Sequence, residues 1–251
     1  MGLAATGLPM KYSEQEWAQT VARAMGGFPL ATVWHRAFAV VMLGYSAIFA
    51  VWAFKVVARH WHKRWRIVAF GPDSPVLNLQ DVRDLFGMVC WFLGLGPRPG
   101  FERWTYWEKF DFWTIVFMVV FIGTSGLIMW WPNFFGLILS GASINMAQMI
   151  HSEVALVATS ILLAIHYFNT HFRPEKFPMD LSVLTGLVNE EHLERARPRF
   201  LERMRREGKL DQLRTTIPSS TRLWALTLGG GLVHLLAVVL LLAILYGSMG
   251  G

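Results

Sequence analysis

The feature that most limits what this chain can become is residues 145–172, NMAQMIHSEVALVATSILLAIHYFNTHF. The run is apolar, carries Glu153 as its one carboxylate, and is long enough to cross the hydrocarbon core of a bilayer as a helix. In lipid each backbone N–H and C=O must be paired within the segment, so a run of this length folds as a helix. It holds His151 near one end and His166 near the other. A histidine at membrane depth is costly and persists only with a partner or a task. At 1.5 Å and 100° per residue the two lie roughly 22 Å apart along the axis and diverge by only about 60°. Two imidazoles on one side of a span, one per leaflet, suit two flat cofactors stacked across a membrane. Neutral imidazole is an iron ligand in haem proteins.

The rest of the chain fits a lipid environment. Of its 251 residues, 54% are hydrophobic and 16% charged, with a mean hydropathy of +0.39. That balance is too apolar for an ordinary soluble domain. Spans are expected at about 31–57, 110–131, 145–168 and 223–246, which gives an all-α membrane protein: a four-transmembrane-helix bundle with amphipathic interfacial helices in its cytoplasmic loops. Twelve Trp and 18 Phe suit two water–lipid interfaces and a large planar cofactor. Cys90 is the single cysteine, which excludes a disulfide framework, and the absence of C-x-x-C-H excludes covalent c-type haem. Any haem must then be held non-covalently by histidine.

A net charge of +6 would also suit nucleic acid, but the basic residues flank the spans, where the positive-inside rule accounts for them. Residues 58–109 and 172–222 carry 19 of the 23 Lys and Arg, while 132–144 carry none. Those two loops are therefore expected in the cytoplasm of a bacterium, with a multi-pass chain in the inner membrane and both termini periplasmic. No cleavable signal peptide is expected, because the first apolar run begins only after Pro29.

Residues 1–30 form an N-terminal interfacial segment. Ser13 and Glu16 have the spacing of a capping box, and Gly26-Gly27 stop the helix. Trp17, Val21, Ala24 and Met25 give it an apolar face to lay on the membrane surface. Asn78 is the expected N-cap of an amphipathic helix with Leu79, Val82, Phe86, Val89 and Leu93 on one face. Gly123, Ser125 and Gly126 thin one side of the second span, to admit a neighbouring helix or a flat ring. The basic cytoplasmic loop, 172–221, includes the amphipathic NEEHLERARPRFLERMRREGKL, interrupted at Pro198.

Depth decides which histidines face each other. His35 and His151 each lie roughly 6–8 Å inside the outer ends of their helices, and can bracket one haem beneath the periplasmic face. His166 has no such match, because Phe49 stands where a histidine of the first span would be needed. His60 shares the helical face of His35 but lies beyond the hydrocarbon. His171 matches His60 in depth yet points roughly 160° away from His151, and His234 is about 11 Å from the level of His166. One haem or two is left open. His62 and His192 are expected as solvated interface residues. Arg36 and Arg173 are candidates to pair with haem propionates, and Arg59 to anchor at the membrane surface. Glu153 is a candidate to take the proton of a quinol, or simply to hydrogen-bond across to the first or second span.

The segments FERWTYWEKFDFW, GTSGLIMWWP and MIHSEVALVATSILLAIHYFNTHFRPEKFPMDLSVLTG together resemble a bacterial membrane cytochrome b family. The family is related to the cytochrome b subunits of formate dehydrogenase, thiosulfate reductase and nickel–iron hydrogenase. The resemblance runs from His35 to about Leu213. It implies a four-helix haem-b module exchanging electrons between quinone and a redox partner at the periplasmic face, with His35, His151 and His166 as iron ligands. It departs from the family's pattern at Phe49, where a second histidine of the first span is expected. It also lacks the multihaem c-type domain fused to some relatives, so a separate subunit would exchange the electrons. A haem-free or haem-poor membrane anchor for a redox complex is the alternative.

Overall fold

The computed structural model describes residues 1–172, 176–177, 179–216 and 219–249, with backbone alone over 60–68 and 248–249. Regular structure among these residues is entirely helical. Chain order runs α1 (Gly2–Lys11), α2 (Glu16–Ala24), α3 (Phe28–Phe70), α4 (Leu79–Phe92), α5 (Tyr106–Trp130), α6 (Pro132–Phe135) and α7 (Gly141–Ile161). Helix α7 continues as π-helical turns over Leu162–His166 and Phe168–Phe172. Then come α8 (Ser182–Thr185), α9 (Glu190–Ala196), α10 (Pro198–Arg206), α11 (Leu210–Leu213) and α12 (Ser220–Met249). Four segments are long and apolar enough to cross a membrane: Phe28–Arg59, Tyr106–Trp130, Gly141–Phe172 and Ser220–Gly247. The chain is an all-α, four-helix membrane protein.

Local chemistry sets most helix ends. Asn78 caps α4 by accepting from the Gln80 N–H at 2.9 Å, and Asp81 reaches back to the Asn78 N–H at 2.7 Å. Thr105 and Glu108 do the same for α5: Glu108 accepts from the Thr105 N–H at 3.0 Å, and Thr105 Oγ1 from the Glu108 N–H at 3.2 Å. Ser140 caps α7, which starts at Gly141, four residues before the sequence pattern suggests. Two glycines with positive φ, Gly26 and Gly27, close α2. The expected Ser13–Glu16 capping box does not form; α2 begins after Gln15, with no side-chain cap. Gln15 is held elsewhere, its amide donating to the Gly247 carbonyl at 2.8 Å and accepting from the Trp17 indole. A tertiary contact overrides the local signal here.

The chain divides into two compact units. The first comprises Met1–Phe49, Val116–Asp180 and Trp224–Gly251. Its core is Leu8, Leu163, Ala237, Leu240 and Ile244, with Ala4, Ala5, Tyr12 and Trp17 packed against it. Residues 1–30 therefore hold two helices, and the first is not confined to a surface: Leu8 of α1 is buried among residues of the third and fourth spans. Residues 2–10 carry no charge, and Gly2, Ala4, Ala5 and Gly7 let backbones approach closely. Lys11, at the end of α1, pairs with Glu153 at 2.7 Å and donates to Ser152 at 3.0 Å. The opposite side of the first span is left to lipid: Val41, Tyr45 and Ile48 are each at least 70% exposed, at helical spacing.

The second unit comprises Ala50–Ile115 and Leu181–Leu223. Leu201, Met204 and Phe101 are buried, and Gly100 packs closely on Pro198. Around them, acidic residues of 73–108 meet arginines of α9–α10 and its lead-in. Arg197 pairs with Glu108 at 2.5 Å, Arg199 with Asp84 at 2.5 Å, and Arg203 with Asp73 at 2.8 Å and Glu102 at 3.1 Å. Among the described residues the most enclosed pair is Lys109–Asp81, at 2.9 Å with side chains 4% and 7% exposed. Arginines counted from sequence as loop charge are thus largely spent on these contacts. Arg214 holds the Glu190 carboxylate below its ordinary range by hydrogen bonding to it.

Candidate functional site

Two histidines from different spans meet. His35 stands two turns into α3 and His151 three turns into α7. Their ring centroids are 6.2 Å apart and their planes meet at 80°. A metal held by two imidazole nitrogens at about 2 Å each sets the ring centroids roughly 6 Å apart. Both side chains are half-buried.

The surrounding hydrogen bonds fix which nitrogen each ring offers. His151 Nδ1 lies 2.9 Å from the Ile122 carbonyl, so it carries the hydrogen and donates. His35 Nδ1 lies 2.9 Å from Thr6 Oγ1. That hydroxyl also lies 2.8 Å from the Gly2 carbonyl; with its hydrogen given there, it accepts from His35. The same hydroxyl lies 3.2 Å from the Leu3 carbonyl. Both rings are therefore tied at Nδ1 and keep the Nε2 lone pair. A histidine that ligates a metal is prepared in this way, its far nitrogen fixed by an oxygen acceptor.

Glycines let the rings sit where they do. A Cβ at Gly126 would lie 2.9 Å from His151 Cε1, and one at Gly7 would lie 3.2 Å from His35 Cε1. Gly126 thus packs on a candidate ligand ring. Gly123 faces Leu43, with a Cβ there 3.3 Å from Leu43 Cδ2, so it serves helix–helix packing. Beside the pair, a cavity of about 660 Å³ is lined by Phe121, Thr124, Ser125, Ser143, Ala147 and Ile150. Ser125 of the cavity wall is 3.3 Å from His151 Nδ1, so one side chain separates the cavity from the candidate ligand.

Other candidates from the sequence are placed differently. Arg36 lies 5.3 Å over the Trp130 ring, a cation–π contact at the end of the second span. Glu153 is 65% exposed and tied to Lys11, about 200° round the helix from His151; its contact is to α1, not to the first or second span. The third span is not uniformly α-helical, so the angles computed for His166 and His171 do not carry past Ile161. His166 lies beside Tyr167, within electrostatic reach of His171. His171 pairs with His234 of the fourth span, their centroids 4.4 Å apart. Depth along the sequence matches it to His60 instead. The side chain of His60 and the whole of Arg173 lie outside the described residues. No group of three or more metal-ligating side chains occurs among the described residues, and a haem iron asks for two.

No family profile, curated protein or solved structure matches the chain.

Sequence reasoning missed Thr6 and Gly7. The one available signal was that residues 2–10 are uncharged and rich in small side chains, which suits burial between helices rather than a place at the surface.

Proposed function

We propose that this chain is a b-type cytochrome. It is the membrane subunit that holds one haem b between His35 and His151 and passes electrons between the membrane quinone pool and a periplasmic redox partner. That partner is a multihaem cytochrome c or another oxidoreductase subunit. The observation that carries this reading is the His35–His151 ring pair, 6.2 Å apart, with both Nδ1 atoms tied and both Nε2 lone pairs spare.

When bound, haem supplies one-electron exchange at an iron with no open position, which suits outer-sphere transfer rather than oxygen chemistry. The chain's own part is to orient. Thr6 and Ile122 hold the imidazoles in the tautomer that ligates, and Gly7 and Gly126 let the rings lie flush against backbone. The 660 Å³ cavity beside His151 falls in the range of pockets that take small organic ligands, about 300–1,000 Å³, and its Thr124 and Ser143 hydroxyls can donate to a quinone carbonyl there. The distribution of Lys and Arg supports an inner-membrane topology with both termini periplasmic. A single haem is favoured over two because, among the described residues, the other close histidine pair, His171 and His234, has its ring centroids only 4.4 Å apart.

The test is a pyridine haemochrome count per chain on the wild type and on His35→Ala, His151→Ala and His166→Ala. One haem is expected in the wild type and in His166→Ala, and none in the other two. A full complement with an unchanged spectrum in either His35→Ala or His151→Ala overturns the assignment.

A further inference from the structure

Helix α1 touches both of the spans that carry the paired histidines. Toward the first span, Thr6 meets His35 at 2.9 Å, while Gly7 packs on the same ring and Gly2 on Phe38. Toward the third span, Lys11 donates to Glu153 Oε1 at 2.7 Å and to Ser152 Oγ at 3.0 Å. Those two residues directly follow His151 in the chain. A single helix of ten residues therefore joins the ring of one candidate ligand to the immediate neighbours of the other.

The link to the third span is a charge pair in an unusual place. Glu153 is the one carboxylate between residues 141 and 172. It stands roughly 12 Å inside the span expected from residue 145, where an uncompensated charge is costly. Lys11 supplies the counter-charge, with side chains 20% and 65% exposed. In water so open a pair is worth at most about 1 kcal/mol. Within a span the lower dielectric screens it less.

Lys11 is well placed to act on Thr6. The two are five residues, roughly 7.5 Å, apart along α1. Between them Leu8 and Pro9 are buried, and the proline fixes its own φ, so this stretch is braced. A contact of 2.9 Å ceases to be a hydrogen bond beyond about 3.5 Å, so a shift of roughly 0.6 Å at Thr6 is enough to release His35 Nδ1.

We propose that Lys11 and Glu153 are positioning residues of the histidine pair: their ion pair seats α1 so that Thr6 holds His35. The redox consequence rests on the haem reading; the seating of α1 stands without it.

The test compares Lys11→Met, Lys11→Arg and Glu153→Gln with the wild type, as the full chain in detergent. With Thr6 withdrawn, His35 becomes a less basic ligand and ferric iron is favoured less. Lys11→Met and Glu153→Gln are each expected to move the haem about threefold toward the ferrous form, a rise of roughly 28 mV at 59 mV per tenfold. Lys11→Arg, which keeps the cation, is expected to leave the potential unchanged. A lysine acting through space gives the opposite sign, because loss of a cation favours ferric iron. A fall or no change in Lys11→Met therefore overturns the proposal. So does any further shift when Lys11→Met is added to Thr6→Val, since the lysine is argued to act through that threonine. Haem lost from Lys11→Met but kept by Lys11→Arg supports the clasp, whereas haem lost from both assigns position 11 to packing and overturns it. The readout that needs no haem is the rate at which Leu8→Cys, in a Cys90→Ser background, reacts with N-ethylmaleimide. Adding Lys11→Met is expected to raise that rate about threefold or more. An unchanged rate overturns the clasp even where haem is present. A colourless wild type that shows the rise keeps the clasp and fails the haem reading alone.

Discussion

Thr6 does for His35 what the Ile122 carbonyl does for His151, but with a side chain, so it can be removed without disturbing the backbone. An outer oxygen acceptor raises the basicity of a ligating imidazole, and a more basic ligand favours the ferric iron. Thr6→Val keeps the shape and deletes the acceptor. If the pair holds haem as proposed, the midpoint potential is expected to rise by roughly 20–60 mV, where about 59 mV is a tenfold change for one electron. Redox titration of the haem absorbance checks this, and an unchanged potential would make Thr6 a packing residue only. That His35 and His151 meet was legible in the sequence because a histidine at membrane depth advertises itself, and because helical rise alone matches their depths. Thr6 was not legible. It lies 29 residues from His35, in a segment whose docking is set by tertiary packing, and a threonine there has no local signature.

At the scale of elements, the helices that local chemistry defines were readable and those that tertiary contacts define were not. Asn78 caps α4 and Gly26-Gly27 end α2 because the backbone there needs a side-chain acceptor or a positive φ. Thr105–Glu108 carries an equally plain signature at the start of the second span. The π turns of the third span follow no Pro or Gly; Asn169 there donates its amide to the Ile165 carbonyl at 3.0 Å, a bond the hydrophobic pattern does not foretell. The same distinction governs the 4%-exposed Lys109, whose only visible function in the sequence is loop charge. Its partner Asp81 also closes the α4 capping box, so one carboxylate ties α4 to the start of the second span. Asp81→Asn leaves Lys109 buried without a counter-charge and is expected to cost about 3 kcal/mol. Asp81→Asn with Lys109→Met is expected to recover most of that loss, since no uncompensated charge remains. Thermal unfolding in detergent reads both, and a double variant no better than the single one would assign the effect to the cap instead.

For the whole molecule, the question is whether ion pairing undoes the charge asymmetry from which topology is read. Much of the basic charge in 190–214 is neutralised by carboxylates, so a rule based on net charge would predict little. The positive-inside bias is not a net-charge rule: Lys and Arg set it while Asp and Glu contribute little, because orientation is decided during insertion, before the pairs close. Pairing in the folded chain therefore leaves the orientation expected from the sequence intact, with 132–144 periplasmic and 190–214 cytoplasmic. In a Cys90→Ser background, exposed Asn133→Cys is expected to react with a membrane-impermeant maleimide in spheroplasts. Glu191→Cys, also exposed, is expected to react only after permeabilisation. The opposite pattern would invert the protein in the membrane and place the His35–His151 pair beneath the cytoplasmic face, so the redox partner would have to be sought on that side.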